Sequence, residues 1–226
     1  MPSLSSSRKA VAVLAALAAT VTVSAATSAT ASASAAADRG SGSGGSGAGA
    51  RQTPAHASVT GSAEFELPYY KDADIRSFTF DAHAAPYSNP LPGIPTGLPT
   101  DARGTVKVSH YSAERGITYT SEGRVDCLVT GPHTATLTAV VTKVSPGGPP
   151  WVGKRLGFSV YDGGSDQGRS RDRVGFSWNG VNLLPSGTTE PLEAEVGTCM
   201  APAPYAPVTK GGYTVHHAEL PPMPRG

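Results

Sequence analysis

Residues 133–144 alternate almost without fault. Ala135, Leu137, Ala139 and Val141 fall on one side, Thr134, Thr136, Thr138 and Thr142 on the other. Side chains that switch faces at every residue describe a half-buried β-strand. The same period of two recurs along the chain. Phe78, Phe80 and Ala82 oppose Ser77, Thr79 and Asp81. Val106, Val108 and His110 oppose Lys107 and Ser109, and Ile117 and Tyr119 oppose Thr118 and Thr120. Glu122-Gly123 reads as a turn, after which Val125, Cys127 and Val129 share a face. Leu156, Phe158 and Val160 repeat the pattern, as do Val174, Phe176 and Trp178, and a last strand covers residues 213–217.

Turn formers separate these runs, among them Gly131-Pro132, Asp162-Gly-Gly164, Asn179-Gly180 and Pro185-Ser-Gly187. No window after Val23 carries a 3.6-residue period. The expected fold is all-β, a single antiparallel sandwich or barrel of about eight strands. Residues 86–99 hold five prolines and read as a long extended loop, partly polyproline II.

Ahead of the strands lies a different kind of sequence. Arg8 and Lys9 precede an uncharged apolar run at residues 10–23, and residues 24–37 are rich in Ala, Ser and Thr with several A-x-A sites. That order describes a secretory signal peptide, with cleavage between Ala31 and Ala37. The apolar run is shorter than the roughly 20 residues of a membrane span. Residues 41–49 are Gly, Ser and Ala only, and residues 38–63 are expected to form a disordered linker. The expected organisation is a signal peptide at 1–37, the linker at 38–63, a β domain at 64–222 and a tail at 223–226. The expected location is extracellular, with no membrane association once the signal is removed.

Export has two chemical consequences. Losing Arg8 and Lys9 from 18 basic residues leaves 16 against 17 acidic ones, a formal charge of −1. A near-neutral chain has no electrostatic case for nucleic acid or an anionic membrane. Cys127 and Cys199 are the only cysteines. An even count in an oxidising compartment points to a disulfide between them.

Catalytic and metal motifs fail on chemistry. Gly148-Pro-Pro-Trp-Val-Gly-Lys-Arg155 has the spacing of a phosphate loop, but Pro149 and Pro150 lack N–H groups and Arg155 lacks the hydroxyl for magnesium. A calcium loop started at Asp162 would place Gly164, Gln167 and Arg173 at positions that need other residues. His216 and His217 are adjacent, so a strand would point them to opposite faces. Ser177 lacks the closing glycine of a nucleophile elbow. Glu114 and Glu122 are the one candidate carboxylate pair. No cofactor, metal site or catalytic residue is expected.

Binding residues are expected at turn regions. Trp151 follows a run of Pro and Gly, and with Tyr161 it offers aromatic surface for a sugar or peptide. Arg169, Arg171 and Arg173, at spacing two, would share a strand face, read first as a solvated edge with Asp172 between them and second as a contact for an anion. His110 is expected as a satisfied core or rim histidine.

Gly123-Arg-Val-Asp-Cys-Leu-Val-Thr-Gly131, then Gly157-Phe-Ser-Val-Tyr-Asp-Gly-Gly164, then Asp172-Arg-Val-Gly-Phe176 resembles a group of uncharacterised secreted actinobacterial β-domain proteins. The group carries a G-R-V-x-C-L strand and a later V-x-D-x-G turn. The resemblance spans residues 78–178 and departs at Pro132-His133, where the group often has Asn. It implies secretion and a β domain but no activity.

The expected function is therefore a secreted, non-enzymatic binding or surface role, with an extracellular polysaccharide or protein as partner. The alternatives are a hydrolase built on His110, His133 and loop carboxylates, and a small-ligand carrier with a barrel pocket. The barrel interior separates them, as a packed core, an apolar cavity or a His–carboxylate cleft.

Overall fold

The computed structural model describes residues 56–184 and 192–225. The signal peptide, most of the linker and the Pro185 turn lie outside the described residues. Among the described residues twelve strands form: β1 (Ser58–Phe65), β2 (Ile75–Ala84), β3 (Ala102–Ser112), β4 (Ile117–Gly131), β5 (Thr134–Val144), β6 (Arg155–Tyr161), β7 (Ser165–Asp166), β8 (Arg169–Ser170), β9 (Arg173–Phe176), β10 (Leu183–Leu184), β11 (Leu192–Glu193) and β12 (Ala206–His216). Eight of them close into an antiparallel barrel in the order β1-β12-β9-β6-β5-β4-β3-β2. Of the two architectures expected, the barrel is the one formed. Among the described residues, closure leaves the barrel sheet no open edge.

The count of eight is reached by a different set of strands. Residues 58–63, placed in the linker by their composition, form most of β1, which joins β12 to β2. At the expected Glu122-Gly123 turn β4 instead runs on as one strand of 15 residues, and a β-bulge puts the extra residue, Thr142, in the facing β5. β12 starts at Ala206, well before residue 213. Residues 86–99 fold as successive tight turns rather than polyproline II. The buried carboxylate of Asp101 gathers them by accepting from Asn89 N (2.8 Å) and Leu98 N (3.0 Å).

An eight-stranded barrel is just wide enough to be filled by side chains or to hold one small ligand. Here the middle is filled. Phe78, Phe80, Phe158 and Phe176 are all buried, with centroids 5.2 Å apart for Phe78–Phe158 and 5.4 Å for Phe80–Phe158. Burying each ring contributes about 2–3 kcal/mol. The facing wall of β3, β4 and β5 supplies smaller residues, including Val106, Val125, Ala139 and Val141.

A second bulge, with Asp126 of β4 as its extra residue, corrects one facing. Val125 pairs with Ala139 and Leu128 with Leu137, so both point into the core. Between them the register slips, and Cys127 sits opposite Thr138 on the outer face. The extra residue of a bulge breaks the alternation that would have turned Cys127 inward. Outward is where its partner waits. Cys127 and Cys199 form a disulfide, with Cα atoms 5.4 Å apart.

The disulfide pins a strap, residues 194–205, across the outside of β5, β6 and β9. Beneath it, buried Asp126 accepts from Thr138 Oγ1 (2.6 Å) and Arg155 Nε (2.8 Å). Cys199 N donates to Thr138 Oγ1 (3.3 Å), and Ser159 Oγ donates to Pro202 O (2.5 Å). The strap lies so close that a Cβ on Gly157 would collide with the carbonyl oxygen of Met200. Glycine at that position permits the backbone approach.

Candidate ligand-binding site at the barrel mouth

Three strands set up the site by register alone. Phe80, Val106 and Gly123 are cross-strand partners on β2, β3 and β4. Two residues towards the mouth come Phe78, Val108 and Ser121, and two further come Arg76, His110 and Tyr119. All nine share one phase of the alternation, so each row lies about 7 Å above the last. The rows change from apolar to polar as the barrel opens.

Above the aromatic plug lies a cavity of about 440 Å³. Phe65, Phe78, Phe176 and Trp178 form its floor, and Val108 and Ser121 one wall. Small side chains on that wall leave unfilled the space that the Phe rings occupy lower down. Trp178 lies two residues past the end of β9 and packs at a tilt against Phe176, with ring centroids 4.6 Å apart. Trp151, from the loop between β5 and β6, meets Trp178 edge-on at 5.4 Å and forms part of the rim. Tyr70, Asn179 and Glu193 complete the opening. Lys154 Nζ donates to Glu193 Oε2 at 2.6 Å, tying the loop after β5 to β11.

The polar row is held from outside the mouth by the turn before β2. Arg76 donates to Asp72 through Nη1 (2.9 Å) and Nη2 (2.5 Å), and to Asp74 through Nη2 (3.3 Å). Asp74 also accepts from Ala113 N at 2.9 Å and meets His110 Nε2 at 2.7 Å. The Ala113 N–H, followed by His110, holds the Asp74 carboxyl below its ordinary value. The Arg76 guanidinium does the same for Asp72. An ionised carboxylate only accepts, so the His110 Nε2 must carry a proton. Tyr119 Oη accepts from Arg115 Nη1 at 3.3 Å.

Of the residues expected at a binding site, Trp151 alone lines the cavity. Tyr161 closes β6 at the opposite end, exposed and paired with Arg173. Arg169 lies in the β7–β8 hairpin, and Arg171 follows it. Arg173 turns to the strap, donating through Nε to Pro204 O (3.3 Å) and through Nη2 to Tyr205 O. The three arginines are not gathered into the mouth. His133 occupies the turn between β4 and β5, at the other end of β4 from His110's partner Tyr119. Glu122 lies opposite Lys107, outside the barrel, and Glu114 is in the β3–β4 turn.

The phase of β2 was the signal for Arg76, two residues before Phe78. Asp72 and Asp74 had no periodic signal, because they sit in a turn. No family model, no curated protein and no solved structure matches the chain.

Proposed function

We propose that this protein is an extracellular, non-enzymatic binding protein that carries a small, ring-bearing apolar molecule in the mouth of its barrel. The observation that carries this reading is the cavity of about 440 Å³ above a packed aromatic plug. Its volume falls within the range of small-molecule sites, and such sites combine apolar walls with a few convergent polar groups. The floor of aromatic rings favours a flat ring through offset or edge contacts. The Cys127–Cys199 disulfide supports an oxidising compartment, in keeping with the signal-like leader and the resemblance to secreted β-domain proteins. Against hydrolysis stands the environment of His110. Its one hydrogen-bond partner among the described residues is Asp74, and no hydroxyl or thiol nucleophile is bonded to it.

The test uses the chain's own reporters. Trp151 and Trp178 are its only tryptophans, and both line the cavity. Titration with N-phenyl-1-naphthylamine, a neutral ring-bearing probe, is expected to change tryptophan emission saturably at one site per chain. Emission that changes without saturation would refute the reading.

A further inference from the structure

We infer that the ligand of the mouth carries a neutral hydroxyl, of phenol or ring-alcohol type, held between His110 and Tyr119. This deepens the reading of the mouth as a ring-binding site and rests on it.

In the row Arg76–His110–Tyr119 one acceptor and one donor remain open among the described residues. Arg76 is committed, with both terminal nitrogens on Asp72 and Asp74. It offers no free cation for an anionic ligand. His110 uses Nε2–H on Asp74, and Nδ1 has no partner among the described residues. In the neutral ring that leaves Nδ1 as an acceptor. Tyr119 Oη accepts from Arg115, and its own proton has no acceptor among the described residues. His110 and Tyr119 are direct cross-strand partners, which places their Cβ atoms about 5 Å apart on the same face.

One open acceptor beside one open donor matches a group that both donates and accepts. A hydroxyl does this: its proton goes to Nδ1 and its oxygen takes the Tyr119 proton. A carboxylate could accept from Tyr119 but would set its second oxygen against the Nδ1 lone pair. Depth agrees as well. The floor row at Phe78 lies about 7 Å below the polar row, roughly the length of one six-membered ring. A ring resting on the floor therefore lifts a substituent on its far side to the level of His110 and Tyr119.

The experiment measures displacement of N-phenyl-1-naphthylamine from the full chain by three matched compounds, 3-propylphenol, 3-propyltoluene and 3-propylbenzoate, whose side chain leaves the far edge of the ring free to rest on the floor. The phenol is expected to compete about tenfold more tightly than the toluene, the effect of one to two part-exposed hydrogen bonds. The benzoate is expected to be the weakest. In Tyr119→Phe and in His110→Phe the phenol-to-toluene ratio should fall several-fold. A ratio reads discrimination alone, so a general change in affinity does not alter it. Equal competition by phenol and toluene in the wild type overturns the hydroxyl and leaves the ring site standing. Tightest competition by the benzoate also overturns it. Failure of every compound, and of the probe itself, overturns the ring site.

Discussion

Asp74 connects three parts of the mouth: the turn before β2, the end of β3 and the His110 ring. Its carboxyl is held below its ordinary value of 3.8, first by the Ala113 N–H and then by His110. Asp72 is shifted the same way by Arg76. A group that holds its proton less tightly in the folded state stabilises the fold above its unfolded value. That contribution is lost as pH falls through the lower folded value. The chain is therefore expected to lose stability on acidification below about pH 4. Asp74→Asn removes one titrating group, so its urea midpoint should change less between pH 6 and pH 3 than that of the wild type. A steeper loss in the variant would contradict the assignment. These residues also mark how far the sequence could be read. His110 showed its phase beside Val106 and Val108. Its partner came from a turn 36 residues earlier, and no local pattern carries such a pairing.

At the scale of elements, the most regular strands were the most legible. β5 has the facing expected of it, because one face is buried against the core and the other is Thr-rich. The bulge at Asp126 in β4 was not legible, since a single extra residue leaves composition unchanged while inverting every facing beyond it. β1 was hidden for another reason. Its inward residues include Gly61 and Ala63, small enough to blend with the Gly/Ser/Ala stretch before it. The strap depends on the bulge, which aims Cys127 at Cys199. The disulfide spans a sequence separation of 72, and loops of that size are stabilised by about 4 kcal/mol in the chain-entropy account. Cys127→Ser/Cys199→Ser is expected to lose about 2–4 kcal/mol in urea unfolding. The barrel core should keep its aromatic near-ultraviolet dichroism, because the strap packs outside it. Equal stability of variant and wild type would show that the strap is held without the covalent link.

For the whole molecule, closure is the feature on which the rest depends. β1 connects β2 to β12, so a chain begun at residue 64 loses most of one stave and leaves two open edges. A chain begun at residue 56 keeps β1 entire. The longer form is expected to melt cooperatively and the shorter to aggregate or to melt without a sharp transition. Cooperative melting of both at the same temperature would contradict the closed barrel.

Closure also makes the mouth. Rings from β1, β2, β6 and β9 plug the centre, while small residues on β3 and β4 leave the upper space open. Val108 faces that space from the middle row, and Val108→Phe would fill it without disturbing the plug. The direct measurement is a titration of wild type and Val108→Phe with N-phenyl-1-naphthylamine, with a thermal melt of each. Saturable binding by the wild type and at least tenfold weaker binding by a variant of unchanged melting temperature is the expected result. Equal binding by both folded proteins would place the probe elsewhere and contradict a ligand site in the barrel mouth.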